Sequence, residues 1–278
     1  MNKLLSIVTI SFNQGAYLRQ CIESVVRDKP CWLEYIVVDP GSTDGSRDII
    51  AEHANRIDRL VLEPDQGPAD GLNKGFDLAT GRYFFFLNSD DFLLPGGAAR
   101  IFQALEGAKG AELIACPAWL VDGNADPLSM VVPLRLDVNS LVQGTGVMVQ
   151  QGLFCEADSF RRAGGFNPAN RTCWDYELLL DMLAGGSAVR LRGERFAAFR
   201  LHGDSLSGGA MGASHQARYH RDLARIACRH GHAWRPPAHP AGRIGLALRK
   251  RVRNPGWALR DLAWRLVPAI RSAAWRRD

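Results

Sequence analysis

The run Tyr83-Phe84-Phe85-Phe86-Leu87, set between Gly81-Arg82 and Asn88-Ser89-Asp90-Asp91, constrains the fold more than any other stretch. Five consecutive large apolar side chains cannot alternate between core and water, so they predict a central strand covered on both faces. Two adjacent carboxylates at its exit are costly to desolvate unless something positive sits there. The C-terminal edge of an open α/β sheet is also where such folds hold their ligands. On these residues alone two readings stand level: a divalent cation bridging carboxylate and phosphate, or an acidic turn in water.

The flanking sequence repeats one rhythm. Residues 5–10 read as a strand, and Leu18, Ile22, Val25 and Val26 then recur at helical spacing. A second strand over 35–38 ends in Asp39-Pro40-Gly41-Ser42-Thr43-Asp44-Gly45-Ser46, where Thr43 or Asp44 is placed to cap a helix. A short strand over 60–62, a loop and helix over 67–80, and the aromatic strand follow. Strands alternating with helices predict a parallel sheet with helices on both faces. After Pro95 the pattern becomes short β-like segments over 112–116, 118–121, 128–132 and 147–154. A helix over 175–184, strands over 188–191 and 195–201, and a long helix over 211–230 complete the reading.

The 278 residues are enough for one large or two small domains, and no run of eighteen apolar residues is present to span a membrane. The N-terminus lacks the cleavage site of a signal peptide, and six scattered cysteines with no CxxC pair read as reduced thiols, so a cytosolic location is expected. The net charge of +5 is uneven: from Arg243 onward nine Arg and one Lys face two Asp, a local +8 that leaves the body at −3. A basic tail on an acidic body argues against a nucleic-acid binder. Within that tail, arginines alternate with residues such as Trp257, Trp264 and Trp275, a pattern suited to an anionic membrane surface or to packing on protein.

Four polar clusters follow predicted strands: 11–13, 39–44, 65–70 and 88–91. Neither GxGxxG nor GxxxxGK[ST] is present, so the usual phosphate cradles are missing. A Mn²⁺ or Mg²⁺ held by Asp90 is then the natural way to neutralise a diphosphate, which favours a nucleotide-diphosphate ligand.

Ser6-Ile7-Val8-Thr9-Ile10-Ser11-Phe12-Asn13, Val37-Val38-Asp39-Pro40-Gly41-Ser42-Thr43-Asp44-Gly45-Ser46 and Phe86-Leu87-Asn88-Ser89-Asp90-Asp91, at these separations, resemble the family 2 glycosyltransferases. Asp65-Gln66-Gly67 followed by Leu72-Asn73-Lys74-Gly75 resembles a further segment of that family, and the likeness extends over residues 4–205. It implies an α/β GT-A fold over 1–230, with a Rossmann-like nucleotide-sugar half (1–95), an acceptor half (96–230) and a mixed sheet; the pattern of the tail over 243–278 separately reads as amphipathic helix. It implies transfer of a sugar from a nucleotide-diphosphate donor, with inversion, to a hydroxyl acceptor, such as a lipid-linked saccharide or glycolipid of the cell surface. Ser11 and Asp39 would contact the nucleoside, and Asn73 and Lys74 would lie near the donor. Asn88-Ser89-Asp90 would take the place of the DxD motif, with Asp90 the metal ligand. The first Asp is here Asn88, which accepts hydrogen bonds but brings no charge, and Ile10 stands where many relatives have Pro.

Cys173-Trp174-Asp175-Tyr176-Glu177-Leu178 resembles the family's acceptor-side acidic motif, with Asp175 as general base and Trp174 replacing a frequent acidic neighbour. Read without the resemblance, Asp175 passes for a first-turn residue favoured by the helix dipole; Glu177 is the fallback base. Phe199-Arg200-Leu201-His202-Gly203 resembles the closing motif, where His202 would reach the metal or diphosphate, against the alternative of a polar loop histidine. Gln150-Gln151-Gly152-Leu153-Phe154 resembles the strand lining donor sugar and acceptor. Trp119 and Trp174 can stack on sugars, with core packing the default. Two other functions compete. A nucleotidyltransferase would need a basic Gly-rich loop after the first strand, which residues 11–15 lack. A non-catalytic sugar-nucleotide-binding or scaffold protein is kept open by Asn88.

Overall fold

The structure is a computed structural model that describes residues 3–203, 213–233 and residue 275. The expected tail over 243–278, apart from Trp275, and the end of the 199–207 motif lie outside the described residues. In chain order the elements are β1 (Leu5–Ile10), α1 (Gly15–Val26), β2 (Leu33–Val38), α2 (Ser46–Glu52), β3 (Arg59–Val61), α3 (Pro68–Asp77), β4 (Tyr83–Phe86), β5 (Phe92–Leu93) and α4 (Gly97–Glu106). There follow β6 (Leu113–Ala115), β7 (Ala118–Val121), β8 (Pro127–Val131), α5 (Val138–Val142), β9 (Leu153–Glu156), α6 (Ala157–Arg162), α7 (Trp174–Ala184), β10 (Val189–Leu191), β11 (Ala197–Arg200) and α8 (Ala213–Arg229).

Seven strands form one sheet in the order β10-β6-β9-β4-β1-β2-β3. Strands β4, β1, β2 and β3 run parallel, whereas β9 runs antiparallel to both β4 and β6. The sheet is therefore mixed, and the α/β architecture expected from the sequence is the one observed. Successive side chains alternate faces. Val8, Ile36, Val38, Phe84 and Phe86 enter one core with α3, α6, α7 and α8. Ile7, Tyr35, Val37, Tyr83 and Phe85 enter the other, with α1, α2 and α4. This two-sided burial is why the aromatic run is continuous rather than alternating. A second sheet, β5-β11-β7-β8, packs at the exit of β4.

Three helices escaped the sequence reading. Helix α4 opens on Gly96-Gly97 and buries only Ile101, Ala104 and Leu105 beyond that glycine, and α5 and α6 are too short to display a period. The strand expected over 147–154 begins only at Leu153, because Gln150–Gly152 form a 3-10 turn. Among the described residues no helix is long and apolar enough to cross a membrane.

The loops after β1 and β2 are cross-tied. The Asp44 carboxylate accepts from Gly15 N (2.8 Å), where α1 starts, and from Ser46 N (3.0 Å) and Oγ (2.6 Å), where α2 starts. Asn13 N donates to Ser42 Oγ (2.8 Å), and Thr43 N donates to Asn13 Oδ1 (2.9 Å). One carboxylate thus satisfies orphan donors of two helices. Replacing it in Asp44→Ala is expected to cost about 1 kcal/mol of stability, read as a lower urea midpoint at unchanged m-value; an unchanged midpoint refutes the tie.

Candidate functional site

Strand β4 delivers Asn88-Ser89-Asp90-Asp91 to a turn closed by Asp91 N donating to Asn88 O (3.0 Å). The two carboxylates have opposite environments. Asp91 is 1% exposed and accepts from Arg200 N (2.9 Å), Gln151 Nε2 (2.6 Å) and Asn88 Nδ2 (3.3 Å). Burial first, and the neighbouring Asp90 second, push its pKa well above the usual carboxylate range. Asp90 instead faces His202, with Oδ2 and Nε2 3.1 Å apart, and the imidazole packs against the Tyr17 ring at 4.6 Å.

The group that braces this turn is Arg200, which motif reading quoted but gave no role. Its side chain donates to Asp90 O (2.8 Å), Gly123 O (2.7 Å) and Gln20 Oε1 (2.5 Å). Its guanidinium lies over the Tyr17 and Phe92 rings at 4.8 and 5.2 Å. The only sequence signal was its place two residues before His202 on a predicted strand.

Beside this turn opens a cavity of about 910 Å³. Ser11, Asn88, Ser89, Asp90 and Asp175 all line it, together with Gln150 and Trp174 and, from the second sheet, Leu120, Val131 and Phe199. Its wall carries three carboxylates, those of Asp65, Asp90 and Asp175, and among the described residues lining it no Lys, Arg or His. Three atoms of lining residues are buried without a hydrogen-bond partner: Ser11 Oγ, Gln150 Oε1 and Trp174 Nε1.

Asp175 and Glu177 occupy the first turn of α7, yet their surroundings separate them. Burial raises the pKa of Asp175 against the partial offset of N–H groups at the helix start, Tyr176 N among them. Glu177 is 1% exposed and ion-paired with Arg225 and Arg229 (both 2.9 Å), while Asn167 (3.1 Å) and Asn170 (2.6 Å) donate to it. Burial opposes its ionisation, but the Arg225 and asparagine hydrogen bonds win and bring its pKa to about 2. Glu177 is committed to docking α8, through Arg225 and Arg229, on the first turn of α7, which also carries Trp174 and Asp175. Asp175 has no such partner and faces the cavity.

Three further residues named from the sequence sit behind the wall. Asp39 is fully buried; its carboxylate accepts from Gly41 N (3.0 Å), Ser42 N (2.8 Å), Ser42 Oγ (2.6 Å) and Arg47 Nε (3.1 Å), and the following Pro40 is what lines the cavity. Burial disfavours its charge, yet these bonds hold its pKa below the ordinary value. Asn73 clips Phe166 by both backbone groups, donating to its O (2.8 Å) and accepting from its N (2.9 Å). Lys74 donates to Pro64 O (2.6 Å), supporting the Pro64-Asp65 stretch of the wall. Trp119 is core, edge-on to Trp275 at 5.2 Å, while Trp174 lines the cavity.

The family model for glycosyl transferase family 2 matches residues 6–140. Over that stretch, just under half of its length, the chain is similar to glycosyl transferase family 2. An uncharacterised glycosyltransferase of Nostoc sp. is 27% identical over 210 residues, 72% of this chain and 65% of the relative. TuaG of Bacillus subtilis, a glycosyltransferase named for teichuronic acid biosynthesis, is 41% identical over 92 residues, 32% of this chain and 36% of its own. The chain thus matches under two thirds of the length of these relatives. In fold it is similar to the mannosyltransferase PcManGT from Pyrobaculum calidifontis, solved in complex with GDP-Man and Mn²⁺ (TM-score 0.60, 16% identity, covering 90% of this chain and 70% of that one).

The clamp on Glu177 carries a pH signature. A carboxyl whose folded pKa is depressed adds stability that is full above the ordinary glutamate value and is lost as pH falls through about 2. Glu177→Gln should therefore weaken the acid-side fall in stability between about pH 4.5 and 2. At neutral pH it should cost about 2 kcal/mol, less than a fully buried pair because the arginines are partly solvated. Urea titrations at several pH values check both; an unchanged acid slope rules the clamp out.

Proposed function

We propose that this chain is a metal-dependent, inverting glycosyltransferase that moves a sugar from a nucleotide-diphosphate donor to a hydroxyl acceptor. The observation that carries the reading is one cavity with Asp90, which His202 approaches at 3.1 Å, on its wall, a half-buried carboxylate without an ion-pair partner, Asp175, also on its wall, and no basic side chain among its described lining residues. A diphosphate entering so acidic a wall needs a cation with it. Among the described residues no cluster of three or more metal-ligating side chains exists. Asp90 and His202 offer a carboxylate oxygen and an imidazole nitrogen 3.1 Å apart. That donor pair fits one Mn²⁺ or Mg²⁺ completed by phosphate oxygens and water. Bound there, the ion would neutralise charge on the departing diphosphate. Asn88, whose Nδ2 donates to Asp91 at 3.3 Å, serves the turn.

Asp175 acts as the base. Its ionised carboxylate takes the proton of the acceptor hydroxyl as that oxygen forms a bond to the anomeric carbon. The bond from that carbon to the diphosphate breaks with its electron pair on the phosphate oxygen, and one displacement inverts the centre. A carboxyl whose pKa is raised by burial is a stronger base than one in water. Asp39 supports the nucleoside end by shaping the loop that presents Pro40, and Ser11 Oγ is free to meet the nucleoside. TuaG, named for teichuronic acid biosynthesis, supports a place in cell-surface polysaccharide or glycolipid synthesis. The basic, tryptophan-bearing tail sequence supports peripheral contact with an anionic membrane carrying a lipid-linked acceptor.

Release of UDP, GDP or dTDP from a panel of nucleotide sugars, with Mn²⁺ or Mg²⁺ and with EDTA, tests the reading. One donor should be turned over only with metal, and Asp90→Ala should abolish that dependence along with turnover. Asp175→Asn should cut kcat by about 10³ while donor Kd stays within about twofold. In wild type the acid limb of kcat/KM should lie above the ordinary Asp pKa, because the base must be ionised and its pKa is raised. Failure to bind any donor overturns the proposal.

A further inference from the structure

Resting on the transferase reading, we infer that Gln150 and Trp174 read hydroxyl groups of the transferred sugar, and that this sugar is an uncharged, hydroxyl-bearing ring. Gln150 is 7% exposed and its Nε2 donates to Phe86 O at 2.5 Å. Turning the amide over would set two oxygens against each other at that distance, so the orientation is fixed by the β4 backbone. The remaining atom, Oε1, is a pure acceptor, buried and without a partner. Its neighbour Gln151 is already spent on Asp91 (2.6 Å). Trp174 is 8% exposed, and its indole Nε1–H, which can only donate, is likewise buried without a partner. Both residues line the cavity that holds Asp90 and Asp175.

A buried donor and a buried acceptor left unmatched are rare in folded proteins, and each weakens the fold. A hydroxyl group can answer either, since it accepts and donates at once. Position narrows which hydroxyl. Gln150 hangs from Phe86, the last residue of β4, whose exit turn carries Asp90, and Trp174 precedes Asp175 directly on α7. In a single displacement the ring in transit lies between the diphosphate, which belongs at Asp90, and the acceptor oxygen, which belongs at Asp175. The pair therefore stands beside that ring rather than beside the nucleoside. The carboxylates of Asp65, Asp90 and Asp175, with no basic side chain among the described lining residues, repel a ring that bears its own carboxylate.

The test is calorimetric titration of the full chain in Mn²⁺ with UDP, UDP-glucose, UDP-glucuronate, GDP and GDP-mannose. Wild type should bind a neutral nucleotide sugar more tightly than its nucleotide diphosphate, and should bind UDP-glucuronate more weakly than UDP-glucose. Trp174→Phe, which keeps a ring and removes the N–H, should weaken the nucleotide sugar about tenfold and leave the nucleotide diphosphate within about twofold. Gln150→Met should repeat the pattern. Monodeoxy analogues of the preferred donor give the same answer with unaltered protein: one analogue should lose about tenfold with wild type and lose nothing further with Trp174→Phe. Equal effects on sugar and diphosphate, or none on either, overturn the assignment while leaving the transferase reading standing. A wild type that binds neither nucleotides nor nucleotide sugars overturns the transferase reading itself, and this one with it.

Discussion

Everything at the cavity depends on keeping the Asp91 carboxylate buried where β4 ends. That group is 1% exposed and held by three donors, one of them the backbone N–H of Arg200 in β11, 109 residues away in sequence. The Arg200 side chain then reaches back to Asp90 O and across to Gly123 and Gln20. Acid and arginine together join the large sheet to the small one, and they fix the peptide from which Asp90 projects. Buried polar networks of this kind are high-stakes. Each member is satisfied only while the others are present, and loss of one partner leaves a buried group uncompensated. Placing Asp90 at its 3.1 Å approach to His202 is the functional consequence.

The second anchor sits on α7. Asp175 and Glu177 are two residues apart on one helical turn, and their ionisation is driven in opposite directions. Glu177 meets two arginines and two asparagines and becomes a permanent anion that docks α8. Asp175 meets only backbone N–H groups and the cavity, so burial prevails. Two like side chains with divergent environments give one segment both a rigid mount and a carboxyl group left open to the cavity. Asn73 and Lys74 belong to the mounting as well. They hold the chain at Phe166 and Pro64, which fixes the loops around the cavity without entering it.

What lay open in the sequence was whatever a short window encodes. The continuous apolar runs of β1, β2 and β4, the helical spacing of Leu18, Ile22, Val25 and Val26, and the polar residues at strand exits are local patterns, and the sheet follows from them. Parallel strands gather their exits on one edge. Ser11, Asn88, Ser89 and Asp90 therefore share a wall once the strand order is known, and Asp175 was found by motif likeness. Helix α4 was missed because its glycine-rich start hides its amphipathic stripe, and the turn at Gln150–Gly152 reads as strand because apolar residues 147–149 and 153–154 flank it.

Only the tertiary structure decided which polar residues face the cavity and which are consumed by the protein. Asp39 at a strand exit reads the same as Asp90 in sequence, yet its oxygens are filled by Ser42, Gly41 and Arg47. Glu177 read as a second candidate base until Arg225 and Arg229 arrived from α8, 48 or more residues on. Arg200 stood in a motif without a role, and motif likeness brought Gln150 and Trp174 near a sugar without showing that one polar atom of each lacks a partner. Side-chain type and strand pattern are properties of neighbouring residues, so the sequence determined them. Desolvation, ion pairing and the orphaning of a donor depend on atoms that only the folded chain brings together, so the structure alone could assign them.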